Sequence, residues 1–168
     1  LPSGALPTVA PSPTPLTPSP TPSPTAERAT IYFVSGRGLE GVEEPVIDRS
    51  AIGVMAALAA DPPIDRQTDL RTLLRDPLTG VPMLNVLSES PTGRVVLART
   101  DAFTLLPAND QVLLVGQVVT SLDDVGLGSV VIVDQAGLPI PLALPDGRVL
   151  EGPATAADYD ALVVQDEP

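Results

Sequence analysis

Apolar residues are scattered and broken by proline as far as residue 25, and from Ala29 onward they fall into short periodic runs. Residues 29–34 are β-branched and aromatic and end at Ser35-Gly36, which predicts a first strand. Gly36 to Gly41 reads as a turn and residues 42–47 as a second strand, with Pro45 suggesting a sheet edge. Asp48 or Ser50 is placed to cap a helix running to about Ala60, on which Ile52, Met55 and Leu58 recur near helical spacing and which Pro62-Pro63 terminates. Residues 65–75 read as a short helix or turn with Leu70, Leu73 and Leu74 on one side.

A hairpin follows, with strands at 83–88 and 94–98 around Ser90-Pro91-Thr92-Gly93. The best helix starts at Asn109 or Asp110 and carries Val112, Val115, Val119 and Leu122 on one stripe. A buried-type strand at 129–133 then turns through 134–137 into a last strand near 140–144, and Pro145-Asp146-Gly147 marks another turn. Near the end, Tyr159 is expected to dock its ring on the core. Helices mixed with hairpins predict an α+β two-layer sandwich, with two helices packed on one face of a small mixed sheet.

Composition divides the chain. Prolines from Pro2 to Pro24 each fix φ and remove a donor, so residues 1–25 are expected to be a disordered Pro/Ser/Thr-rich tether. Fully extended, it would reach roughly 75 Å at ~3.1 Å per residue. Its PxxP spacings leave open a ligand for an aromatic-lined groove, and its Ser and Thr leave open a glycosylated stalk. Residues 26–163 form the expected domain and 164–168 an acidic tail. No run of apolar residues is long enough to span a bilayer, and the sequence opens on Leu1, as a mature form would if an export signal and a lipidated cysteine lay upstream.

Charge and missing residue types narrow the chemistry. Nine arginines and no lysine face 21 acidic residues, a net charge of −12 that opposes attraction to nucleic acid or anionic lipid. With no Cys and no His, ordinary zinc sites, thiol chemistry and Ser-His-Asp catalysis are excluded together.

Several stretches resemble one family. Leu113-Leu114-Val115-Gly116-Gln117-Val118-Val119-Thr120-Ser121-Leu122, then Val125, Gly128, Val130-Val131-Ile132-Val133-Asp134 and Gly137, resemble the GerMN domain of sporulation and spore-germination proteins, which also occurs in actinobacterial envelope lipoproteins. Thr30-Ile31-Tyr32-Phe33-Val34 is similar to the family's first strand, and Ala56-Ala57-Leu58-Ala59 with Asp61-Pro62 to its first helix. Leu70-Arg71-Thr72, Gly152-Pro153-Ala154-Thr155 and Asp158-Tyr159 extend the likeness over most of residues 29–160. Thr120 stands where tyrosine is common in the family, and Gln135-Ala136 lengthen the turn after the strand. The resemblance implies an extracytoplasmic domain of a cell-envelope assembly, similar in fold to ring-building modules, and carries no catalytic residue.

Motifs of other chemistries fail on context. Gly36-Arg37-Gly38-Leu39-Glu40-Gly41 satisfies GxGxxG, yet Val42-Glu43-Glu44-Pro45 follows in place of the helix N-terminus that would hold a pyrophosphate, so a glycine-rich hairpin turn is expected. Acidic pairs such as Glu43-Glu44, Asp123-Asp124 and Asp166-Glu167 lack calcium-loop spacing and read as solvated charge. Ser88, Ser90 and Ser121 have neither a histidine nor a lysine base. No catalytic residue, metal ligand or cofactor is therefore expected.

The expected function is a non-catalytic scaffold or interaction domain whose partners are other envelope proteins or a second copy. Nucleic acid is not expected, and the membrane is reached only through the tether or a lipid anchor. A small-molecule or glycan-binding envelope module is the alternative. Within Arg94-Val95-Val96-Leu97-Ala98-Arg99 the three central residues leave both faces apolar, so Val96, Arg94, Arg99 and the neighbouring Phe103 are the candidate interaction residues. Phe103 itself is either a core plug or an exposed anchor.

Overall fold

The computed structural model describes Gly4, residues 11–13, Pro15 and residues 27–165. Most of the expected tether and the last three residues of the acidic tail lie outside them. Strands β1 (Glu27–Ser35) and β2 (Gly38–Val46) form an antiparallel hairpin. The turn between them, 36–37, and the start of β2 take up the GxGxxG run, so a strand follows its glycines. Among the described residues β2 is bridged on its outer side only at Leu39, to Val163, and Pro45 with Glu43 and Glu44 discourage further pairing there.

Helix α1 (Ala51–Ala59) begins where the Ser50 side chain accepts the Gly53 N–H at 3.1 Å. The Ala51 N–H donates to Glu89 Oε2 at 3.0 Å, which brings a carboxylate to the positive end of the helix. Ala51, Val54, Met55 and Leu58 are buried at i, i+3, i+4 and i+7. Ile52, expected on that stripe, lies off it and is 68% exposed. A single 3-10 turn, Ile64–Arg66, follows, after which Leu70, Leu73 and Leu74 enter the core from irregular chain.

Strands β3 (Leu84–Glu89), β4 (Arg94–Arg99) and β5 (Ser129–Val133) form a mixed sheet in that order. β4 runs antiparallel to β3, across a bulge at Leu87, and parallel to β5. The connection from β4 to β5 runs through the short helix α2 (Asp101–Thr104) and the long helix α3 (Ala108–Asp124). Neither Asn109 nor Asp110 caps α3: its N-cap is Pro107, which has no side chain able to accept. β6 (Leu142–Ala143) and β7 (Val149–Leu150) make a small hairpin through Gly147, at φ 87°.

The result is α+β, with α1 and α3 packed against small sheets. α3 is less one-sided than its apolar stripe predicts, since Leu114 to Leu122 are all buried. One side meets β1 and α1, and the other meets β5, β6 and the 3-10 segment Ala156–Leu162. Gly116 makes that enclosure fit: a Cβ there would lie 3.1 Å from both Leu162 and Leu39 and 3.2 Å from Tyr159. Tyr159 is fully buried as expected, and its hydroxyl donates to the Ala143 carbonyl at 3.3 Å.

Candidate functional site

The face of β4 turned to the core carries Val95 and Leu97, both 0% exposed, in register with the buried Val130 and Ile132 of β5. Strand alternation sends Arg94, Val96 and Ala98 to the opposite face. There Val96 lies beside Val131 and Ala98 beside Val133, and Ser88 and Asn85 of β3 flank them on the other side. These valines and Ala98 stand outside the continuous core cluster and make a second apolar patch, in which Val131 and Val133 are buried, at 6% and 4% exposed, and Val96 and Ala98 are half-buried.

The four candidate interaction residues do not form one surface. Arg94 and Val96 share the outer face, with Arg94 exposed and Val96 half-buried. Arg99 follows Val95 and Leu97 on the inner side. Phe103 is a core side chain, 3% exposed, because the Phe103 N–H bonds the Thr100 carbonyl at 3.1 Å and the resulting turn of α2 points the ring inward. The exposed-anchor role for Phe103 is thereby corrected in favour of the core plug.

Periodicity gave no sign of a groove on the other side of the domain. Its cavity of about 490 Å³ lies between the first turns of α3, at Val112 and Leu113, the β6–β7 turn, at Ala143 to Pro145, and Leu162. Val112 and Ala143 also line a smaller recess of about 70 Å³ that runs to Arg99, Phe103 and Gln111. The Gln111 amide donates to the carbonyls of Phe103 and Leu106 at 3.2 and 3.0 Å, holding the α2–α3 corner beside the recess. The groove walls come from elements far apart in sequence, so no local motif announces them.

A third cavity, at the β1–β2 turn, is polar. Glu40 Oε1 lies 3.4 Å from Arg37 and 3.6 Å from Arg66, so the carboxylate already occupies the space between the two guanidinium groups. Among the described residues no group of three or more acidic side chains is arranged to hold a metal ion. In that same portion no helix is long and apolar enough to cross a membrane.

No protein-family model matches the sequence, and no curated protein matches it. A solved structure does match: the tandem GerMN domains of the sporulation protein GerM from Bacillus subtilis, with a TM-score of 0.57 at 15% sequence identity. The fold is that of a GerMN-like domain. The superposition covers 80% of this chain and 48% of the GerM structure, so the chain spans about half the length of its structural relative. At that identity the likeness speaks for the fold alone.

Proposed function

We propose that this GerMN-like domain is a non-catalytic, extracytoplasmic interaction domain of a bacterial cell-envelope assembly, joined to its anchor by the proline-rich segment. The observation that carries the proposal is the outer face of the β3–β4–β5 sheet, where Val96 and Ala98 of β4 are only half-buried and extend an apolar row from the buried Val131 and Val133 of β5, outside the main core. A sheet face turned to water needs polar side chains, and here they stand at the margins, Asn85 and Ser88 on β3 and the paired Arg94 and Ser129 at one end, around an apolar centre. Arg94, exposed at the end of the same row, adds a guanidinium suited to an acidic rim on the partner, which is another envelope protein or a second copy. Kinship in fold with a domain of a sporulation protein supports the envelope setting, as do the proline-rich segment and the strongly acidic surface.

Replacing Val96 with Glu tests the docking face. The expected result is an unchanged circular dichroism spectrum together with loss of the neighbour that wild-type protein crosslinks in envelope preparations. Unfolding of the variant, or retention of the neighbour, counts against this face. A second reading, a small-molecule or glycan-binding envelope module, is favoured by the groove beside α3 alone.

A further inference from the structure

The groove beside α3 and the recess at its end have different chemistries. The groove is walled chiefly by aliphatic side chains, including Val112, Leu113, Leu144 and Leu162, and at about 490 Å³ it is within the range of ordinary ligand sites. The recess, about 70 Å³, has Phe103 and Ile140 on its walls and Arg99 among its lining residues.

Of the nine arginines of this acidic chain, Arg94 and Arg99 have no ion pair or side-chain hydrogen bond among the described residues, and Arg94 is exposed. Arg28, Arg37, Arg66, Arg71, Arg75 and Arg148 each sit within 4.0 Å of a carboxylate, and Arg49 donates to the carbonyls of Arg28 and Asp124. Arg99 is half-buried, and among the described residues it has no carboxylate within ion-pair distance. Asp101 and Asp134 line a neighbouring cavity with Arg99 but neither comes within 4.0 Å of it, so the half-buried guanidinium keeps its donors for an anion from outside the domain.

We propose that the groove and recess bind the C-terminal end of an extended, aliphatic partner peptide, with its terminal carboxylate on Arg99. Charge complementarity selects the carboxylate, and the recess, far smaller than the groove it joins through Val112 and Ala143, is the place for the end of the bound chain. The open, shallow groove suits a peptide whose second side stays in water, whereas an acyl chain gains most from a closed tunnel. The proposal rests on the domain acting through protein contacts, but it uses a surface separate from Val96.

The test is fluorescence anisotropy on the full chain. The probe is a labelled peptide of about eight residues with three aliphatic residues at its C-terminus. It is offered with a free carboxylate and as the C-terminal amide, with dodecanoate as competitor. The expected result is saturable binding of the acid, with the amide weaker by about tenfold or more. Arg99→Gln is expected to bring the two peptides to similar affinity without changing the circular dichroism spectrum. Leu113→Glu is expected to weaken both, and Val96→Glu neither.

Equal binding of acid and amide by the wild-type chain, or no binding of either, overturns the proposal. So does dodecanoate binding without peptide binding, which would make this a site for lipid carboxylates. The comparison of acid with amide on wild-type protein decides the matter even if Arg99→Gln fails to fold. Failure of the peptide to bind leaves the crosslinking result for Val96→Glu standing, so the two proposals fall separately.

Discussion

Ser121 Oγ accepts the backbone N–H of Tyr32 at 2.9 Å and donates to the Gln117 carbonyl at 2.7 Å, so a helix side chain does for β1 what a neighbouring strand would otherwise do. The pattern continues to either side. Asp124 Oδ2 accepts the Thr30 N–H at 2.8 Å, and the Val34 N–H goes to the Arg71 carbonyl at 2.8 Å. Gln117, one turn before Ser121 on α3, accepts the Leu73 N–H at 3.1 Å and donates to Thr72 Oγ1 at 3.2 Å. Gln117, Ser121 and Asp124 thus lie on one line of the helix, bonding chain segments that pass beside it. An open edge on β1 is closed without a further strand.

Ser121→Ala removes the acceptor and leaves a part-buried amide without a partner. The expected cost is about 1–3 kcal/mol, measured by urea denaturation. Faster hydrogen exchange at the Tyr32 amide, with little change at Ile31, would locate the loss.

Gln117→Leu conserves volume but strands the Leu73 N–H at a fully buried position. It is expected to cost at least as much as Ser121→Ala, although Leu has the better helix propensity. A stabilised variant would show that packing outweighs these bonds.

Gly53→Ala offers a test of opposite signs. Helix propensity alone favours Ala over Gly by about 1 kcal/mol, but a Cβ at Gly53 would collide with the Asp48 carbonyl oxygen in the backbone that leads into α1. The expected outcome is a lower melting temperature, with the Ser50 cap disturbed.

The pH dependence should be simple. With no His, Cys or Lys, the chain has no side chain titrating between its carboxylates and its two tyrosines. Burial, with Asp158 adding to it, raises the Tyr159 pKa well above the usual phenol value. Burial again, then Asp124, Asp123 and Asp160, raises that of Tyr32. The unfolded chain loses these protons first as pH rises, so the folded state binds more protons above the unfolded value. The stabilisation is whole below about pH 10 and is lost above it. The melting temperature is expected to be flat from about pH 7 to 9 and to fall above about 10, with a shallower fall in Tyr159→Phe.

Removing residues 1–25 is expected to leave the melting temperature nearly unchanged. β1 begins at Glu27, and the first buried side chain of the strand is Ala29, beyond the deletion. Differential scanning calorimetry of the shortened chain checks this, and a large drop would show that the segment packs on the domain.

Local pattern located the longer strands and the two long helices, but not α2, β7 or the 3-10 segment Ala156–Leu162. Apolar β-branched runs marked β1, β4 and β5, Asp48 or Ser50 marked the start of α1, with Ser50 the cap in the structure, and Pro62-Pro63 marked its end, because strand alternation, capping and proline act within a few residues. The likeness to GerMN domains was also visible, since it lies in core and turn residues that packing demands. Tertiary structure decided which way those elements face. Arg94, Val96, Arg99 and Phe103 are close in sequence but belong to two sides of the sheet, because alternation separates β4 residues and α2 folds Phe103 inward. The groove that ends at Arg99 was hidden for the converse reason: its walls are brought together only when α3, β6 and the chain around Leu162 pack around one core.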